Sequence, residues 1–168
     1  MQKCDLQNKI IVIGSPGAGK STFSRALSKK LKLPLFHLDL IWHKPDKTTV
    51  AREEFDKKLN EILAQEKWII DGHYARTLEK RILACQTIFL LDLPLEICLE
   101  NISARIGKPR PDLPWQETNF DSEFRDYVVS FQSEQLPKSY ALLEKYKDKN
   151  IIIFKSHKEV ENFLNSLN

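Results

Sequence analysis

Short apolar runs and longer amphipathic stretches take turns along this chain. Lys9-Ile10-Ile11-Val12-Ile13 is continuous and β-branched, the pattern of a strand buried on both faces. Phe23, Leu27 and Leu31 then recur at helical spacing, which predicts a helix from about Lys20 to Lys32, stopped by Pro34. Leu35–Leu38 reads as a second strand, followed by a loop over Asp39–Asp46 rich in breakers and aromatics. Phe55, Leu59, Ile62 and Leu63 form one stripe of a second helix. Trp68–Asp71 is a third strand ended by Gly72, and Leu78, Ile82 and Leu83 mark a short helix after it. Thr87–Asp92 is a fourth strand, and Pro94 opens a helix toward Arg105. The stretch Gly107–Asn119 holds Pro109, Pro111 and Pro114 and is expected to be irregular. Thr118-x-x-Asp121 offers a capping box for a helix with Phe124, Val128 and Phe131, expected to break or restart at Pro137. Asn150–Phe154 is a fifth strand, and Ser156-x-x-Glu159 caps a last helix with Val160, Phe163, Leu164 and Leu167.

Strands that alternate with helices imply an α/β fold with a parallel, doubly wound sheet and helices on both faces. In such folds ligands bind at the carboxyl ends of strands. Asp39, Asp71, Asp92 and Lys155 fall there.

At 168 residues one domain, 1–168, is expected. The 26 basic and 23 acidic residues leave a net charge of +3, too mild to imply nucleic-acid binding. Cys4, Cys85 and Cys98 have neither disulfide-framework nor zinc-site spacing. No signal peptide or membrane-length apolar run is seen, so the expected location is cytoplasmic, away from membranes.

Between the first strand and helix lies Gly14-Ser15-Pro16-Gly17-Ala18-Gly19-Lys20-Ser21, which fits G-x-x-x-x-G-K-[ST], the P-loop that cradles a nucleoside triphosphate. The expected ligand is ATP with Mg²⁺. Residues Gly14 to Thr22 would hold the phosphates through backbone N–H groups and the helix dipole. Lys20 reaches the β- and γ-phosphates, and the Ser21 hydroxyl is a magnesium ligand.

Asp71 ends an apolar strand before Gly72, the arrangement of an acid that helps hold magnesium. Asp92 looks similar, but Leu93-Pro94 follow, so it reads as an N-terminal cap or charge for the next helix. Arg76 is placed to clamp an acceptor phosphate. Asp39, beside Trp42 and His43, is placed to orient or deprotonate a hydroxyl. Trp42 either stacks on a ring or covers the core. Arg105, Lys108 and Arg110 bracket the proline-rich stretch, where Arg105 and Arg110 would close on the transferring phosphoryl group. His37, His43 and His73 lack metal-ligand spacing and read as packing or hydrogen-bonding residues.

These residues also carry family resemblances. Asp71-Gly72-His73-Tyr74-Ala75-Arg76-Thr77 resembles the D-G-x-P-R-T segment of adenylate kinases, with one extra residue before the arginine. The resemblance implies a short lid at about 105–119. It also implies a place for the adenine ring at Lys155-Ser156-His157. Nucleotide kinases often carry an adenine-stacking arginine where this chain has Asn101. The P-loop, Leu38-Asp39 with Trp42-His43-Lys44-Pro45, Trp68–Gly72 with Tyr74 and Arg76-Thr77, and Arg110-Pro111-Asp112 resemble the bacterial DNA topology modulation proteins. That resemblance implies the three-layer P-loop NTPase fold with sheet order 2-3-1-4-5. An ATP- and Mg²⁺-dependent kinase is the expected function. Its small acceptor, a nucleotide or nucleoside, would sit against about 39–66 and Arg76. The rival is an ATP-binding or ATPase regulator tied to DNA or a partner protein, which neither the charge nor any motif supports.

Overall fold

Five strands lie side by side, all parallel, in the order β2-β3-β1-β4-β5. They are β1 (Lys9–Gly14), β2 (Leu35–His37), β3 (Trp68–Asp71), β4 (Thr87–Leu91) and β5 (Asn150–Phe154). The computed structural model describes residues 6–167, so Cys4 lies outside the described residues. Seven helices surround the sheet. They are α1 (Lys20–Leu31), α2 (Leu38–Trp42), α3 (Arg52–Leu63), α4 (Ala75–Ala84), α5 (Leu95–Arg105), α6 (Ser122–Lys145) and α7 (His157–Asn165).

Alternation along the strands divides the core in two. Ile11, Ile13, Trp68, Ile70, Ile88 and Leu90 face one way, against Phe55 and Leu59 of α3, Leu78 and Ile82 of α4, and Phe131 of α6. Ile10, Val12, Ile69, Phe89 and Leu91 face the other, against Phe23 and Leu27 of α1 and Cys98 and Ile102 of α5. Successive side chains point to opposite faces, so a strand covered on both sides reads as an unbroken apolar run. Cys85 and Cys98 are buried free thiols. Among the described residues no helix is long and apolar enough to cross a membrane.

Three local expectations are corrected. Part of the loop expected over Asp39–Asp46 belongs to helix α2, because Leu38, Ile41 and Trp42 meet the core one turn apart. Pro137 does not break α6, which runs unbroken for 24 residues. A helix-interior proline costs about 3 kcal/mol; burial of Phe131, Leu136 and Leu143 on both sides of it offsets that cost. Thr118 is not the cap of α6. Asp121 is, accepting a bond from Phe124 N at 2.7 Å. Leu78, Ile82 and Leu83 do lie on one short helix, α4, with Leu83 60% exposed and Arg81 fully buried beside Ile82. The Ser156 cap is present, with Glu159 N donating to its hydroxyl at 3.2 Å. Glu159 itself accepts from Lys155 N, one residue before the usual capping-box donor.

His73 is buried between the β3–α4 connection and α6, with Nε2 3.2 Å from Ser139 Oγ. Burial, then the charges of Lys20 and Arg81, push its pKa down to about 3. The unfolded chain gains a proton here below about pH 6.5, whereas the folded chain does not until about pH 3. Stability from this group is therefore complete above pH 6.5 and drains away as pH falls toward 3. A loss of about 2 kcal/mol between pH 6.5 and 5 is expected. Urea unfolding of His73→Asn should show a flatter acid slope, and an unchanged slope would contradict the buried neutral imidazole.

Candidate active site

The loop between β1 and α1 wraps tightly onto β4 and α5. Gly14 and Gly17 both have positive φ, +140° and +79°. A Cβ would stand 2.2 Å from Leu91 O at Gly14 and 2.4 Å from Cys98 O at Gly17. No side chain fits either place. Asn101 Nδ2 donates to Gly17 O at 2.8 Å and also lies 3.1 Å from His157 Nε2. The start of α7 is thereby tied to the loop.

Lys20 opens α1 and is half-buried. Its Nζ donates to Ser15 O at 2.8 Å. Burial lowers its pKa, while Asp71 and Asp39 pull it back up and Arg105 adds to the lowering. Asp71, Asp39 and Arg105 thus share one electrostatic neighbourhood with the P-loop lysine, although they come from three separate segments.

The sheet register explains Asp71. It stands beside Val12 of β1 and His37 of β2. His37 Nδ1 reaches its Oδ2 at 2.7 Å, and Asp71 is 6% exposed. Ser21, one residue after Lys20, accepts from Arg25 at 2.5 Å, which leaves its hydroxyl a second lone pair. A hydroxyl and a carboxylate are hard oxygen ligands of the kind magnesium takes, usually completed by phosphate and water. The two groups therefore fit the ion the loop motif implies.

Asp39 sits in the first turn of α2 and accepts a short hydrogen bond from the Tyr74 hydroxyl. Burial, then this carboxylate, push the phenol of Tyr74 well above its ordinary pKa. His43 Nε2 is 4.0 Å from Asp39 Oδ1. Asp39 Oδ2 has no hydrogen-bond partner among the described residues. Trp42 packs edge-on against Phe55 at 5.6 Å, so it covers the core.

Arg81 holds this arrangement from behind. Its guanidinium donates to the carbonyls of Gly72, His73 and Tyr74, and Nε to Thr77 Oγ1 at 3.3 Å. Burial lowers its pKa to about 10. Nothing in the sequence marks this residue, because arginines are rarely buried without a carboxylate.

The segment after α5 closes on itself, with Gly107 N donating to Glu117 O at 2.7 Å. Its Trp115 ring meets His43 edge-on at 5.1 Å. Arg110 forks onto Asp112 at 3.2 and 2.6 Å and reaches Glu117 with Nη1 at 2.6 Å. Burial works against the charge of Arg110, but these carboxylates outweigh it and raise its pKa. Arg105 Nε lies 3.0 Å from the same Glu117 oxygen, as an ion pair not aligned for a hydrogen bond. Asp112 and Glu117 are functional candidates that residue type alone did not single out.

Two further expected site residues are each held by a carboxylate. Arg76 forks onto Asp56 of α3 at 3.2 and 2.6 Å, at the surface. Lys155 donates to Asp92 Oδ2 at 2.5 Å, and Tyr140 donates to that oxygen at 2.5 Å. Asp92 is therefore not the cap of α5, where Pro94 stands. Ser156 spends its hydroxyl on α7.

A five-stranded parallel sheet of this order, with a phosphate-type loop after its first strand, is the architecture of P-loop kinases. Residues 10–126 match the family described as AAA domain, and the chain belongs to that family. A stretch of 58 residues is 40% identical to a shikimate kinase from Rhodococcus jostii (strain RHA1). The match covers 34% of this chain and 29% of that enzyme, so it spans less than a third of the relative's length. Shikimate kinase from Acinetobacter baumannii, solved in complex with shikimate, superposes with a TM-score of 0.65 at 16% identity, covering 96% of this chain and 91% of that one. A gluconokinase from Sinorhizobium meliloti 1021 gives 0.55 at 13% identity, covering 95% and 89%. The structural likenesses show a shared fold.

Proposed function

We propose that this chain is an ATP- and magnesium-dependent kinase that phosphorylates a hydroxyl of a small acceptor of the nucleoside or nucleotide class. The observation that carries the reading is Asp39 standing, after Asp71, in the electrostatic field of the P-loop Lys20, with Tyr74 holding Asp39 and leaving Oδ2 open. Main-chain N–H groups of Gly14 to Thr22 bind the triphosphate, and Lys20 sets the β- and γ-phosphates. Ser21 and Asp71 would hold magnesium, which when bound neutralises charge on the phosphate oxygens. Lys155 and Ser156, with Asn101 and His157 beside them, border the donor's base.

The acceptor oxygen bonds to the γ-phosphorus as the bond to the β–γ bridging oxygen breaks. ADP leaves, and the hydroxyl proton passes to Asp39 Oδ2. Arg105 lies closest to the transferring group in this reading, because its two Nη groups have no hydrogen-bond partner among the described residues. Arg110 acts behind it, through Glu117. The segment about 105–119 serves as lid, and the bacterial DNA topology modulation resemblance is taken as a statement of kinship rather than of activity.

The test is ADP release from ATP and Mg²⁺ over a panel of nucleosides, nucleoside monophosphates and polyols. Acceptor-stimulated release is expected, and Lys20→Ala should abolish it. ATP turnover that no acceptor alters would remove the kinase reading.

A further inference from the structure

The pair Arg76–Asp56 stands beside the rings that back Asp39. Phe55 and Tyr74 stack at 5.6 Å with 25° between planes. Asp56 follows Phe55 along α3, and Arg76 lies two residues past Tyr74, in the first turn of α4. The acceptor side thus presents Asp39, then a ring stack, then a closed guanidinium–carboxylate fork.

Both Nη groups of Arg76 are directed at both oxygens of Asp56. The bond from Arg76 holds the Asp56 carboxyl below its ordinary pKa, so it stays charged at neutral pH. The pair is half exposed, and such pairs contribute little to stability. Its consequence is electrostatic. A phosphate that approached Arg76 would meet a carboxylate already in the fork; Glu53 adds a negative charge to the field of Arg76, while Lys80 and Arg52 act on Asp56 from further out. Arg81 is engaged on carbonyls and Arg110 on Asp112 and Glu117, which leaves Arg105 for the transferring phosphoryl group. At the hydroxyl end a further carboxylate, Asp39, waits.

We infer that the acceptor carries a free hydroxyl and no phosphate or carboxylate group, and that Asp56 turns anionic acceptors away by occupying Arg76. Within the nucleoside and nucleotide class this selects the nucleoside. The inference deepens the kinase reading and rests on it.

The experiment compares kcat/KM for nucleosides, their 5′-monophosphates and hydroxy acids such as shikimate and gluconate, with products confirmed by mass. A preference of about tenfold or more for the nucleoside over its monophosphate and over the hydroxy acids is expected, the scale of a like-charge contact. Asp56→Asn, with Asp56→Ser as a second variant, frees Arg76. Each should narrow the ratio severalfold, by lowering KM for the monophosphate. A wild-type preference for monophosphates or hydroxy acids overturns the inference and leaves the kinase reading standing. So does a ratio that neither variant moves. If no compound stimulates ADP release, the kinase reading falls and takes the inference with it.

Discussion

Asp39→Asn is expected to lower kcat for acceptor phosphorylation by about 10²–10⁴-fold, the range for loss of a positioned general base. The substitution is close to isosteric. An asparagine oxygen can still accept the Tyr74 hydroxyl, so the short contact that seats α2 against the β3–α4 connection is kept in weaker form. What is lost is the second oxygen as a proton acceptor. Burial makes Tyr74 a poor acid, so the tyrosine cannot supply the missing charge. The effect should therefore fall on kcat and leave the KM for ATP close to its wild-type value. Steady-state ADP release with saturating acceptor measures it, and a kcat within threefold of wild type would remove Asp39 from the chemistry.

Arg105→Ala is expected to cost about 10³-fold or more in kcat, the magnitude of an arginine that stabilises a transferring phosphoryl group. The geometry separates the two arginines. Among the described residues Arg105 pairs through Nε with Glu117, and its field reaches Lys20. Arg110 is spent on three contacts with carboxylates. Asp112, 5% exposed, keeps its charge against burial because Arg110 forks onto it. The chain Asp112–Arg110–Glu117–Arg105 thus aims one guanidinium with another. Glu117→Gln should give a smaller loss, about 10–10²-fold, as expected for a displaced catalytic group. The order Arg105→Ala worse than Glu117→Gln, measured under single turnover, tests the hierarchy. The reverse order would place Arg110 on the phosphate instead.

Both effects depend on residues whose types were legible but whose partners were not. Lys20, Ser21 and Asp71 could be named from the chain because the P-loop and a strand-end acid are local patterns, set by neighbours within a few residues. Arg76 was legible as an arginine after β3, yet its fork onto Asp56 spans 20 positions. Tyr74 meets Asp39 across 35 positions, and Asn101 meets Gly17 across 84. No spacing rule reaches that far.

The five strands, the α/β class and the phosphate loop follow from short-range physics. Strand patterning, positive-φ glycines and helix caps are decided by a residue and its immediate neighbours. The sheet order is implied by a resemblance rather than by periodicity, and the sheet itself realises it. Burial and pairing were decided only by packing. Helix α2 forms because the core receives Leu38, Ile41 and Trp42 together, and α6 runs through Pro137 because apolar contacts on both sides outweigh one lost hydrogen bond. Arg81 goes inside because the carbonyls of Gly72, His73 and Tyr74 converge on its guanidinium. A side chain's chemistry is a property of the residue, but its charge state and partner depend on which distant segments the fold brings within a few ångströms.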